Sequence, residues 1–156
     1  MFSRHNSLGC LVACFVLVCG GHATAQHLAA FPFIHSKGSD PHGGVIVDTA
    51  GNFYGTTTYG GSGPCANGSS SGCGVVYRLS QANGRVSESV LYAFTGGSDG
   101  GNPIGDLVFD SLGNLYGTTS TAGASNAGTV FELSPPSQPG SAPWTENTLY
   151  TFTWGQ

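Results

Sequence analysis

The chain has 156 residues, of which 8% are charged and 26 are glycine. An ordinary globular chain carries about 25% charged residues and about 7% glycine, so this is a low-charge, turn-rich sequence. Four Lys and Arg against eight Asp and Glu leave too little positive charge for a nucleic-acid surface or for binding anionic lipid, and 11% aromatic residues speak against disorder.

The chain opens with a targeting pattern. Arg4 and His5 precede an apolar run from Leu8 to Cys19, and Ala23-Thr24-Ala25 supplies small residues for a cleavage site. This reads as a secretory signal over residues 1–25, cleaved before Gln26. An uncleaved anchor fits less well, because twelve apolar residues span only about 18 Å as a helix against a hydrocarbon core of roughly 30 Å. Leu11-Val12-Ala13-Cys14 is similar to a lipobox, but the apolar run continues past Cys14. The expected location is therefore secreted or cell-surface, with no membrane span after cleavage.

Signal removal takes Cys10, Cys14 and Cys19 and leaves Cys65 and Cys73. In an oxidising compartment an even pair reads as a disulfide, here closing the loop Ala66–Gly72. Two free thiols or a metal-binding pair are the other readings of the same residues.

Residues after the signal repeat. Gly43-Gly-Val-Ile-Val-Asp-Thr-Ala-Gly-Asn-Phe-Tyr-Gly-Thr-Thr57 matches Gly105-Asp-Leu-Val-Phe-Asp-Ser-Leu-Gly-Asn-Leu-Tyr-Gly-Thr-Thr119 without a gap, at an offset of 62. Gly74-Val-Val-Tyr-Arg-Leu-Ser80 matches Gly128-Thr-Val-Phe-Glu-Leu-Ser134 at an offset of 54. The difference is an insertion in the first copy, and it holds both cysteines. A third element recurs as His27-Leu-Ala-Ala-Phe31, Val90-Leu-Tyr-Ala-Phe94 and Thr148-Leu-Tyr-Thr-Phe152. The organisation is residues 26–95 as one repeat, with the last strand of a preceding unit, and residues 96–156 as the second.

Each repeat predicts four strands: 45–48, 53–58, 75–80 and 85–94 in the first, and 107–110, 115–120, 129–134 and 145–153 in the second. β-Branched and aromatic residues suit a pleat. Asp48, Gly51 and Asn52, and again Asp110, Gly113 and Asn114, form hairpin turns in which Asp accepts backbone N–H groups and Gly takes the positive-φ position. Sustained helical periodicity is absent after Gln26. Four short antiparallel strands per unit at regular spacing describe an all-β protein of β-propeller blades, about two of them.

The pattern Leu-x-x-Asp-x-x-Gly-Asn-Leu-Tyr-Gly-Thr-Thr, followed by Gly-Thr-Val-Phe-x-Leu, resembles the GloVer tandem repeat of exported bacterial surface proteins. The resemblance covers nearly all of residues 27–156. It implies a propeller-like fold and a secreted or cell-surface location, and it implies no catalytic residues. Such proteins carry many repeats where this chain has two, so it also implies a fragment, a partial propeller with open edges.

Site chemistry is sparse. Asp99, Asn102 and Asp106 in the glycine-rich link are weak calcium candidates as oxygen ligands, read more simply as a solvated turn. His35 and His42 flank Asp40, but with spacing that is not diagnostic of a metal; with His27 they read as exposed link residues. Thr56, Thr57, Thr118 and Thr119 recur, which favours cross-strand pairing over a nucleophile. Tyr54 and Tyr116 are placed to stack between blades. No catalytic residue and no cofactor is assigned. The expected function is a surface interaction or structural module, with carbohydrate or a surface protein as partner. The alternative is a fragment of a propeller enzyme, a hydrolase or lyase acting on polysaccharide or lactone.

Overall fold

The structure is a computed structural model that describes residues 36–61, 65–66, 70–137 and 143–155. The leader, His27, His35 and the first copy of the third element lie outside the described residues. The described residues form nine strands and contain no helix.

The first sheet is an antiparallel meander of β1 (Ile46–Val47), β2 (Phe53–Thr57), β3 (Val75–Ala82) and β4 (Arg85–Ala93), in that order. The second contains β5 (Gly101–Pro103), β6 (Val108–Phe109), β7 (Leu115–Thr121), β8 (Thr129–Ser134) and β9 (Thr145–Thr151). Here β6, β7, β8 and β9 repeat the meander, and β5 also pairs with β7. The all-β expectation holds, as two antiparallel sheets of four and five strands, neither closed on itself.

Boundaries moved for identifiable reasons. β3 runs on to Ala82 because Asn83-Gly84, at φ 52° and 71°, makes a two-residue hairpin into Arg85. Asn-Gly is a strong local hairpin signal, and the strand prediction did not use it. The first strand of each unit shrinks to two residues. Gly101-Asn-Pro103 was expected as link. It is a strand because β7 is long: its first half pairs with β6 and its second half, Thr119 and Thr121, with β5. The first unit has the matching feature in reduced form, a single bridge between Ser39 and Tyr59, which correspond to Gly101 and Thr121.

The repeat extends to irregular details. Opposite the step from Val76 to Tyr77, β4 bulges with Leu91 as its extra residue, and opposite the step from Val130 to Phe131, β9 bulges with Leu149, equivalent positions. Just before each, Phe94 N–H donates to Gly74 O at 3.0 Å and Phe152 N–H to Gly128 O at 3.0 Å.

The main core lies between the sheets. Tyr54, Val76, Leu91 and Phe94 from the first meet Leu107, Leu115, Phe131 and Leu133 from the second. Phe94 and Phe131 pack edge to face with centroids 5.0 Å apart, as do Tyr54 and Phe109. Each such side chain taken from water contributes about 1.5–3 kcal/mol. The two faces differ in kind: the first sheet offers the Val76 side of its third strand, and the second offers the side of Phe131, the counterpart of Tyr77. Neighbouring strand residues point to opposite faces. Tyr77, Val75 and Leu79 accordingly form a separate buried cluster.

Candidate functional site

The repeated polar residues meet in three places: the turn, the strand behind it, and the junction between units. In the turn, Asp48 Oδ1 accepts the N–H groups of Ala50 (2.9 Å) and Asn52 (2.8 Å), while Oδ2 accepts Asn52 Nδ2 (2.8 Å) and the Tyr54 hydroxyl (2.9 Å). Asp110 repeats the set with Leu112 N–H, Asn114 N–H, Asn114 Nδ2 and Tyr116 Oη, at 2.8 to 3.1 Å. Gly51 and Gly113 take φ of 81° and 86°, a region open to glycine. So Asp, Gly, Asn and Tyr recur together because one carboxylate holds the turn and ties it to the next strand. Partial desolvation pushes Asp48 up, but the bonds from Asn52, Tyr54 and Ala50 outweigh it and hold the carboxyl below its ordinary value. Asp110 is lowered in the same way, against the same opposing desolvation, by Asn114, Leu112 and Tyr116.

Behind the turn, the glycine of Tyr-Gly-Thr-Thr leaves room for an aromatic ring. A Cβ on Gly55 would stand 2.5 Å from the Tyr77 hydroxyl, and one on Gly117 would stand 2.6 Å from Phe131 Cζ and 2.9 Å from Leu107 Cδ2. Gly55 is paired with Tyr77 and Gly117 with Phe131 across the ladder, so each aromatic side chain occupies the space a Cβ on its glycine would need. Burial, with Glu88 nearby, pushes the Tyr77 hydroxyl up to about 12. The threonines make contacts of this local kind. Thr119 and Thr129 hydroxyls meet at 2.9 Å, Thr57 Oγ1 donates to Tyr59 O, and Thr56 Oγ1 reaches Gly105 O of the other unit at 3.3 Å.

The junction holds the residues that looked like oxygen ligands, and it gives each its own donors and acceptors. Asp99 is buried. Its Oδ2 accepts Thr95 N–H (2.8 Å) and the Tyr92 hydroxyl (3.0 Å), and its Oδ1 accepts Thr95 Oγ1 (2.6 Å) and Gly97 N–H (3.1 Å). Burial first, and then the Asp99 charge, raises the Tyr92 hydroxyl well above its ordinary value. Asn102, at φ 53°, joins the units with four groups at once. Its N–H donates to Cys73 O (2.7 Å) and its Nδ2 to Thr58 O (2.9 Å) in the first unit; its Oδ1 accepts Thr121 Oγ1 (2.6 Å) and its C=O accepts Ser120 Oγ (2.7 Å) in the second. Asp106 accepts the N–H of Gly44. Among the described residues no group of three or more His, Cys, Asp or Glu is placed to hold a metal ion. His42 and Asp40 form an exposed pair at 3.2 Å.

Two features of the junction were not legible beforehand. Gly43 lies against Gly105, and Gly44 is bonded to Asp106, so each position touches its own counterpart 62 residues away. The second feature is the cystine. Cys65 and Cys73 are disulfide-bonded with Cα atoms 5.1 Å apart, and both are buried. The sulfurs rest against Gly96 of the link, and Ala66 N–H donates to Thr95 O at 2.8 Å. The insertion thus clamps the link between units as well as closing its own loop. The offset of 62 marked both pairs of positions, but only the three-dimensional arrangement shows that they touch.

No curated protein matches the chain. The family model described as the Gloeobacter/Verrucomicrobia repeat matches residues 22–156. The chain belongs to the Gloeobacter/Verrucomicrobia repeat family.

Proposed function

We infer that this is an exported, surface-exposed interaction or structural module whose units are propeller-like blades. The observation that carries the reading is the use of the repeated polar residues. Asp48, Asp110, Asp99 and Asn102 spend their hydrogen-bonding groups on turns and on the junction, which leaves loops and sheet faces for recognition. The contact of Gly43 with Gly105 supports a rotational arrangement of blades about a nearby axis. The apolar leader in the sequence and the disulfide support export. The partner is a carbohydrate or a surface protein, engaged by low-charge aromatic and loop surface.

Expression in a bacterial host with the leader intact, followed by fractionation and protease shaving of whole cells, tests export. Loss of residues 1–25 and surface accessibility are expected; full-length protein retained in the cytosol overturns the reading. Glycan arrays and cell-wall pull-downs with the purified protein test recognition, and blank results in both would remove the binding half of the proposal.

A further inference from the structure

The junction between the units holds one hydroxyl that faces two acceptors. Thr148 Oγ1 on β9 stands 2.9 Å from Glu146 Oε1 and 3.4 Å from the carbonyl oxygen of Ser98 in the link. A hydroxyl has one proton to donate. With Glu146 ionised, that proton serves the shorter, charge-assisted bond, and Ser98 O goes without it. The groups facing Glu146 are Asp99 of the link and Tyr92 of β4; its cross-strand neighbour on β8 is Leu133, and Glu132 of β8 lies on the opposite face. Asp99 already accepts four hydrogen bonds, one of them from Tyr92. Among the described residues the one ion pair is His42 with Asp40, so no lysine or arginine there neutralises Glu146.

We propose that Glu146 and Thr148 form a proton-operated latch on the link between the units: protonated Glu146 donates to Thr148 Oγ1, Thr148 donates to Ser98 O, and loss of the proton from Glu146 breaks this chain. The step moves one proton between Glu146 and solvent and turns one hydroxyl, and no covalent bond of the protein backbone changes. Ionised Glu146 also stands near the Asp99 charge, so the open state carries a repulsion that the closed state lacks. Burial raises the Glu146 carboxyl above its ordinary value; the bond from Thr148 opposes the rise and the Asp99 charge adds to it. A raised carboxyl stabilises most fully below its unfolded value and less as pH rises through its folded one, so the latch closes in acid and opens toward neutral pH. The first unit lacks it. Val90 stands at the place of Thr148 and Lys37 at the place of Asp99. Burial raises Glu88, the counterpart of Glu146, while the Lys37 charge opposes the rise.

The latch depends neither on export nor on ligand binding, and it is tested on the full chain. Gly100 and Gly123 both donate their N–H groups to Gly97 O, next to Ser98, so protection of these amides from hydrogen exchange reports how firmly the link is held. Protection is measured from about pH 4 to about pH 7, corrected for intrinsic exchange and referred to the amides of β3. In the wild type it should fall about three- to tenfold across that range, the net effect of one hydrogen bond. Glu146→Gln, which is uncharged and can donate, should hold the high value throughout. Thr148→Val, which keeps the shape and removes the hydroxyl, should hold the low value throughout; Val90 occupies this place in the first unit, so the variant is expected to fold. Glu88→Gln should behave as the wild type. Three results overturn the proposal: wild-type protection that does not change with pH, a pH dependence that survives in Thr148→Val, or one that Glu88→Gln abolishes as well. The second of these would assign the effect to repulsion between Glu146 and Asp99 without the hydroxyl.

Discussion

The two units carry the same turn, the same glycine beneath an aromatic ring and the same bulge, yet their central strands differ in burial. At the start of β3, Val75, Val76 and Tyr77 are all buried, so both faces are covered. β8 alternates, with Thr129, Phe131 and Leu133 buried and Val130, Glu132 and Ser134 partly exposed. Near-identical local sequence thus produces a two-sided core strand in one place and a one-sided strand in the other. Burial belongs to the stack of sheets, while strand geometry belongs to the repeat.

The sharpest way to break this comparison is to truncate equivalent rings. Phe94→Ala should cost about 3–5 kcal/mol, the usual range for a buried phenylalanine. Phe152→Ala should stay within about 0.5 kcal/mol, as for surface changes. Urea denaturation of both variants measures the difference, and equal losses would mean that the two rings are buried alike.

The cystine exists in the first unit alone. Replacing Cys65 and Cys73 together by serine should cost about 2.5 kcal/mol on the chain-entropy account of a short loop. The loss should concentrate at the junction, because the sulfurs rest on Gly96. Hydrogen exchange at Thr95–Asn102 faster than in β8 would locate it there; uniform acceleration would not. At the place of Gly96 the second unit has Trp154, which is exposed and has no cystine to accommodate.

Adding a methyl group beneath each ring probes what the units share. Gly117→Ala should cost about 2 kcal/mol, within the range for overpacking, because Phe131 and Leu107 are both fully buried and have nowhere to move. Gly55→Ala should cost less, since the nearest atom is the Tyr77 hydroxyl at the end of its side chain. Thermal or denaturant unfolding in which Gly55→Ala is the worse variant would contradict this account of the motif.

The smallest expected effects are in pH. Asp48 and Asp110 have folded pKa values below the ordinary aspartate value. The stability they add is therefore present above about pH 4 and is lost as pH falls through their folded values. Glu88 and Glu146 shift the other way: burial raises both, with Asp99 adding to Glu146. Their contribution is full below their unfolded values and declines as pH rises through the folded ones. At the alkaline end Tyr77, raised to about 12, loses its contribution as pH climbs from about 10. Asp48→Asn and Asp110→Asn should each flatten the acid limb of a stability–pH curve, and by similar amounts, since their bond sets match. An unchanged acid limb in both would assign acid sensitivity elsewhere.

Much of this was legible in the residues. The turn could be read because its geometry is local: Asp48 and Asn52 lie four positions apart and bond each other directly. The strands could be read because alternation and β-branching are local too. β5 escaped notice, since Gly-Asn-Pro has no strand propensity and forms one only where β7 offers an edge. The link holding Asp99 and Asn102 read most simply as a solvated turn, because a list of oxygen-bearing side chains does not show that Asp99 is buried or which donors it meets. The glycine of Tyr-Gly-Thr-Thr carried a signal that went unread: a strand glycine repeated at one offset, facing an aromatic repeated at another.

The sequence by itself determined the repeat, the turns, the all-β class and the pairing of two cysteines across an insertion, because each depends on residues a few positions apart or on copying. Tertiary structure decided which face of each sheet is covered, why Gly43 meets Gly105, and that the cystine clamps the link. Those outcomes depend on which surfaces come together from distant parts of the chain, as Gly44 meets Asp106, and burial and hydrogen-bond satisfaction are settled only when they do.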